Sequence, residues 1–228
     1  MLALVGSGEY LPAMEPIDRE LISRLQESPR VVCLPTAAGK EGPERIAYWL
    51  RLGVEHFTRL EAKVEALPVI DSESANDKNL ANVIAEANFV YLSGGKPHYL
   101  YNTLKGSLAW EAVLSVLARG GLLAGCSAGA MILGEKFLGF PGLKTGFNFL
   151  SRVTVIPHFD EIPGYVIQSI RALAGKDLTV LGIEGNTTLV YSGEQYDVLG
   201  SGGVIVWNRT GKTRYTRGPL PPDVLAKG

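Results

Sequence analysis

The stretch LLAGCSAGAMIL, Leu122 to Leu133, decides the fold and nominates the site. It opens as a short apolar run after the turn pair Gly120-Gly121. It continues as a helix start predicted over Ala128 to Leu133, built from good helix formers around one small residue, Gly129. Between them sits Gly125-Cys126-Ser127-Ala128-Gly129, a G-x-S-x-G pattern in a strand–turn–helix setting, which is the context of a nucleophile elbow. So sharp a bend puts its central residue at positive φ and demands small neighbours, here glycine and alanine. Its product is a serine hydroxyl raised at the end of a sheet, over the positive end of a helix. The Ala128 N–H is then free to bind an oxyanion. The plainer reading of the same residues is a tight glycine-rich connection with Ser127 as a helix cap.

Working outward, the segments before the elbow alternate between short apolar runs and helical stripes. Leu2–Val5, Val31–Leu34, Val64–Ile70 and Phe89–Leu92 read as strands. Pro16, Pro43 and Pro97 are placed to open helices, where a first-turn residue needs no N–H. The stripes are Ile17, Leu21, Ile22 and Leu25; then Ile46, Ala47, Leu50 and Val54; then Leu80, Val83, Ile84 and Ala87, with Ser74 or Asn76 as the cap of the last. Leu108–Leu117 is a further amphipathic helix. This order predicts an α/β fold with a doubly wound, mostly parallel sheet flanked by helices. In such sheets ligands gather outside the carboxyl ends of the strands, and the loops at Gly6–Gly8, Gly94–Gly95 and the elbow all fall there.

Beyond the elbow, the residues from Phe137 to Leu150 read as an irregular connection, and Glu135 falls in the helix that follows Ser127. Val153–Ile156, Leu178–Ile183 and Thr187–Tyr191 read as strands and Pro163–Leu173 as a helix. From Gly193 onward, β-branched runs between glycine-rich turns predict antiparallel hairpins at one edge. We therefore expect one domain over 1–228, with a loose tail from about 219.

The net charge of −1 gives no electrostatic footprint for nucleic acid or an anionic membrane. No apolar run approaches the roughly 20 residues that cross a bilayer, and Met1–Val5 lacks the basic lead of a signal peptide. The two cysteines, Cys33 and Cys126, each end a buried strand pattern, which suits a reducing compartment; the cytoplasm is the expected location. No CxxC or HExxH occurs and the histidines are scattered, so neither a metal nor another cofactor is expected.

A serine hydroxyl needs an adjacent base. Of the three histidines, His56 reads as a surface or helix-end residue and His98 as a first-turn residue near the active edge. His158, at the end of a strand one element after the elbow, is the chosen base. A carboxylate must then fix the imidazole: Glu184, just after Leu178–Ile183, is preferred, with Asp160 and Glu135 as alternatives. Ala128 supplies one oxyanion donor, and Gly94 or Gly95 the second. Cys126, next to the nucleophile, reads as a small buried hydrophobe.

At these residues the chain resembles the S51 serine peptidases, the family of dipeptidase E and cyanophycinase, whose fold is similar to the class I glutamine amidotransferase domain. The resemblance rests on Gly125-Cys-Ser-Ala-Gly-Ala130. It is supported by Gly6-Ser-Gly-Glu9, Leu34-Pro-Thr-Ala37, Leu92-Ser-Gly-Gly95, His158 and Gly182-Ile-Glu-Gly-Asn-Thr187. It implies Ser127 as nucleophile, His158 as base, and Gly95 with Ala128 as oxyanion donors. The family segment carries two adjacent acids where this chain has Glu184-Gly185, so only the first is kept. Cyanophycinases follow the histidine with arginines; here Phe159-Asp160-Glu161 follows, and the first arginine is Arg171. Lys96 stands near the family's glutamine position. Lys96 and Asp160 are thus the candidate substrate contacts, and an acidic rim of Asp160 and Glu161 should disfavour β-carboxylate substrates. The expected activity is hydrolysis of peptide or related amide bonds of small peptides through an acyl-enzyme. The rivals are a silent binding domain on the same scaffold and an esterase or amidase. The expected partner is a small peptide substrate, with a homodimer as the assembly to test.

Overall fold

The computed structural model describes residues 1–193, 195–221 and 224–225. In chain order the elements are β1 (Leu2–Val5), α1 (Glu15–Ser23), β2 (Arg30–Leu34), α2 (Pro43–Arg59), β3 (Lys63–Ala66), α3 (Lys78–Glu86) and β4 (Phe89–Leu92). There follow α4 (Pro97–Leu104), α5 (Leu108–Ala118), β5 (Leu122–Cys126), α6 (Ala128–Met131), β6 (Gly134–Leu138), β7 (Leu143–Thr145) and β8 (Leu150–Ile156). The chain closes through α7 (Gly164–Ala174), β9 (Thr179–Ile183), β10 (Thr187–Tyr191), β11 (Tyr196–Gly200), β12 (Val204–Trp207), β13 (Lys212–Tyr215) and β14 (Gly218–Pro219).

The strands form two sheets. The larger has the order β14-β11-β10-β1-β5-β4-β2-β3; its β1, β5, β4, β2 and β3 run parallel, and β10, β11 and β14 extend it antiparallel. The smaller has the order β13-β12-β9-β8-β6-β7, parallel only through β6, β8 and β9. The fold is therefore α/β with a large, mostly parallel sheet flanked by helices. The C-terminal hairpins divide: β10 and β11 edge the first sheet, and β12 and β13 edge the second.

The two-residue period of each strand assigns its faces. In the large sheet, Leu4, Leu34, Leu92 and Leu123 face the core under α3, α4 and α5, whereas Val5, Cys33, Tyr91 and Ala124 face the layer under α1 and α2. Burial on both faces explains why these strands read as unbroken apolar runs. In the small sheet, Val155, Leu181 and Val204 join the first core, while Ile156, Val180 and Ile205 pack under α7 with Ile167 and Ile170.

Several local expectations are corrected. The buried residues of α2 are Gly53, His56 and Phe57, and Val54 is exposed, because the helix packs through the row Trp49, Gly53, His56-Phe57 and Leu60. Gly53 keeps this contact close, since a Cβ would lie 3.0 Å from the Cys33 sulfur. The cap of α3 is Asp77, whose carboxylate accepts from the N–H groups of Asn79 and Leu80. β3 ends at Ala66 rather than Ile70. Helix α6 is a single turn, and Glu135 lies in β6 because that segment pairs with β7 and β8. The irregular connection expected at 137–150 is thus largely a hairpin. At the C-terminus, Pro219 pairs with Asp197 and Leu220 is buried, so ordered structure passes the point where a loose tail was expected. Residues 222, 223 and 226–228 of that tail lie outside the described residues.

Candidate active site

Ser127 follows β5 at φ 50° and ψ −109°, the strained corner expected of an elbow. The two glycines of the pattern let strand, helix and neighbouring loop approach. A Cβ on Gly125 would lie 2.5 Å from the Gly129 carbonyl, and one on Gly129 would lie 2.7 Å from the Leu92 carbonyl oxygen. The Ser127 N–H donates to the Val5 carbonyl at 3.0 Å, which ties the corner to β1. The serine itself is half-buried, not enclosed.

His158 arrives from the other sheet. It follows β8 at φ 51°, and its Nε2 lies 3.2 Å from Ser127 Oγ. Two contacts set this loop. The Phe159 N–H donates to the Ile183 carbonyl at 3.1 Å, with its ring buried, and Asp160 Oδ1 accepts from the Gly185 N–H at 2.8 Å. Asp160 thus braces the histidine loop against the β9–β10 turn. The site lies where the carboxyl ends of the two sheets meet.

The carboxylate at the imidazole is Glu161, not Glu184. Glu161 Oε2 lies 3.2 Å from His158 Nδ1, and the Glu161 N–H closes the turn on the His158 carbonyl at 2.9 Å. Glu184 is engaged elsewhere. Its Oε2 accepts from the Gly203 N–H at 2.7 Å, and both oxygens take the Arg214 guanidinium, at 2.7 and 2.6 Å. That guanidinium holds the Glu184 carboxyl below the usual glutamate range. Glu135 accepts from the Arg152 N–H, and neither it nor Asp160 is bonded to the histidine. Sequence reasoning placed Glu161 on the rim but not at the imidazole. The available signal was the His-x-x-Glu spacing, which a turn folds into contact.

The two N–H groups expected to face an oxyanion are those of Gly95, in the loop after β4, and of Ala128, the residue that follows Ser127. Along Ser93–Lys96, the Ser93 N–H donates to Leu34, Gly94 to the Glu9 carboxylate and Lys96 to Ala37. Among the described residues the Gly95 N–H, and likewise the Ala128 N–H, meets no acceptor. Gly95 sits at φ 140°, where a Cβ would lie 2.7 Å from Ala37, so the loop requires glycine. Because α6 is one turn, what it offers is this peptide N–H rather than a macrodipole. Lys96 is exposed at the head of α4, next to Gly95.

Cys126 is fully buried, and its thiol donates to Glu9 Oε2 at 3.0 Å. Burial, then the Glu9 charge, pushes the thiol well above its ordinary range, so it stays protonated and un-nucleophilic. The other histidines stand apart from the serine. His98 is exposed and bonded to Asn102. His56, read as a surface or helix-end residue, does lie in the last turn of α2, but it is fully buried there with Nε2 2.8 Å from Asp18 Oδ2. Among the described residues, no three His, Cys, Asp or Glu side chains cluster as a metal-binding set, and no helix is long and apolar enough to cross a membrane.

The family model of peptidase family S51 matches residues 2–199. The chain belongs to peptidase family S51. This S51 chain is a peptidase, a hydrolase of peptide bonds. It is similar to a peptidase from an acI-B1 Actinobacterium, whose crystal structure superposes with a TM-score of 0.85 at 34% identity, covering 96% of this chain and 95% of that one. A peptidase E-like protein from Listeria monocytogenes superposes with a TM-score of 0.65 at 21% identity over 88% of this chain and 98% of that one, a likeness of fold. An uncharacterized peptidase of Listeria innocua is 26% identical over 191 residues, 79% of this chain and 88% of the relative.

Proposed function

We propose that this S51 peptidase is of the serine type and cleaves small peptides through an acyl-enzyme. The observation that carries the reading is the 3.2 Å approach of His158 Nε2 to a Ser127 Oγ held at positive φ. For Nε2 to accept the serine proton, the neutral ring must carry its own proton on Nδ1, and Glu161 stands there to receive that hydrogen bond. Ser127 Oγ attacks the scissile carbonyl as its proton passes to His158. The tetrahedral oxyanion forms between the N–H groups of Gly95 and Ala128. Collapse expels the amine with the proton from His158 and leaves an acyl ester on Ser127. Water, deprotonated by the same imidazole, then releases the acid and restores the serine. Lys96 and Asp160 flank this centre as the proposed substrate contacts.

With Asp160 and Glu161 both beside the histidine, substrates bearing a β-carboxylate meet like charge. A panel of short peptides tests the reading. Wild-type protein should hydrolyse members of the panel without favouring Asp-X, and Ser127→Ala should hydrolyse none. Turnover surviving in Ser127→Ala would remove the serine mechanism, and a clear preference for Asp-X would remove the specificity.

A further inference from the structure

The loop Gly6-Ser-Gly-Glu9-Tyr10 leaves β1 and runs beneath both halves of the site. The reaction scheme above gives it no role. Glu9 spans two elements that must be held in register. Its Oε1 accepts from the Gly94 N–H at 3.0 Å and its Oε2 from the Cys126 thiol, also at 3.0 Å. The next residue, Tyr10, sits at φ 64° and its hydroxyl lies 3.0 Å from Ser93 Oγ, fully buried. Two successive residues of one loop thus grip two successive residues of the oxyanion loop, and Glu9 also grips the residue before the nucleophile. The fit is close: a Cβ on Gly94 would lie 2.7 Å from Glu9 Oε1 and 3.2 Å from the Ser127 Cβ.

We propose that Glu9 is a positioning residue that selects which N–H of the Gly94-Gly95 pair faces the reacting carbonyl. A Gly-Gly peptide is conformationally free, and either N–H could turn toward the substrate. Glu9 commits the Gly94 N–H away from it. The neighbouring N–H groups of Ser93 and Lys96 are already bound to Leu34 and Ala37, so the donor left is that of Gly95. Through Cys126 the same carboxylate fixes the elbow relative to that donor. Glu9 acts through these groups and does not touch the substrate.

The role rests on the serine mechanism proposed above, and the test separates the two. Purified full-length protein is reacted with a fluorophosphonate, whose phosphoryl oxygen occupies the oxyanion position once Ser127 attacks. The inactivation rate constant and the apparent binding constant are measured separately, alongside the melting temperature. Glu9→Ala should lower the inactivation rate constant by about 10- to 100-fold, short of or near the loss of a whole oxyanion donor, with binding within about twofold. Glu9→Gln, whose amide oxygen still accepts from Gly94, should recover most of that loss. If Glu9→Ala fails to fold, Glu9→Met, similar in length and without an oxygen acceptor, carries the same expectation. An unchanged rate in a folded variant without an acceptor, or a loss confined to binding, would overturn the role of Glu9 while leaving the serine mechanism standing. Wild-type protein that is folded yet unreactive at Ser127 would overturn both.

Discussion

Two histidine–carboxylate pairs stand on the same scaffold and do opposite things. Asp18 and His56 meet at 2.8 Å with neither side chain exposed. His158 and Glu161 meet at 3.2 Å, with 39% and 62% of their side chains exposed. The first pair joins α1 to α2 beneath an aromatic layer of Tyr10, Phe57 and Tyr91, and among the described residues the other nitrogen of His56, Nδ1, has no hydrogen-bond partner. The second has Ser127 on its other nitrogen and open solvent beside it. The chemistry of each pair is alike. Burial makes one of them part of the core, and an exposed ring with a hydroxyl in reach suits the other to the proposed role of a base that cycles its proton.

The comparison breaks most sharply at His158. His158→Ala should fold normally and lose about 10⁴-fold or more in turnover, because among the described residues His158 is the base hydrogen-bonded to the serine hydroxyl; peptide hydrolysis and circular dichroism measure the two sides. His56→Ala should do the reverse. It strands a buried carboxylate, which costs about 3–5 kcal/mol of stability in chemical denaturation, while turnover per folded molecule is kept. Burial raises the Asp18 carboxyl above the ordinary aspartate range, so it is between the unfolded and the raised folded values that the fold binds the proton more tightly than the unfolded chain. The sign follows: stability in His56→Ala should improve as the pH is lowered toward that range, where Asp18 is neutral in the fold. If His56→Ala is instead as stable as wild type, the buried pair is not a structural element.

Glu161→Gln sharpens the comparison at an intermediate scale. It removes the charge at Nδ1 but keeps an acceptor, so turnover should fall by about 10- to 100-fold with melting unchanged, a smaller loss than for a buried triad acid because solvent also reaches the ring. The corresponding Glu184→Gln should leave turnover within about twofold, since Glu184 serves Arg214. Its effect is on stability, of about 1 kcal/mol or less for a pair whose guanidinium is half exposed. Because Arg214 depresses the Glu184 carboxyl, that contribution is complete above the ordinary glutamate range and is lost as pH falls through the depressed value. Melting curves of the two proteins should therefore converge in acid.

The elbow was legible because every requirement of a sharp strand-to-helix corner is local: small residues at fixed offsets, an apolar run before and helix formers after. The parallel strands were legible because burial on both faces leaves a run such as Phe89–Leu92 without polar interruption. The division into two sheets was not. The alternation of Val180, Leu181 and Gly182 is the same whichever sheet receives it, and the choice is made by pairing with β8 and β12 from distant parts of the chain. The burial of His56 was missed for a related reason. Its partner, Asp18, is 38 residues away, and only the row Trp49, Gly53, His56-Phe57 would have marked it as inward. Glu161 was passed over in favour of Glu184, after a separate strand, and of Asp160, its own neighbour in the histidine loop. The turn that brings it to His158 depends on a positive φ that no residue type at 158 announces.

The proposed mechanism requires Ser127 Oγ to be the atom that bonds to substrate, and mapping the covalent adduct by mass spectrometry after fluorophosphonate treatment reads this most directly. The predicted result is a single adduct on the tryptic peptide that contains Ser127, absent from Ser127→Ala. An adduct on any other residue, Cys126 included, or none in protein shown to be folded, would contradict it.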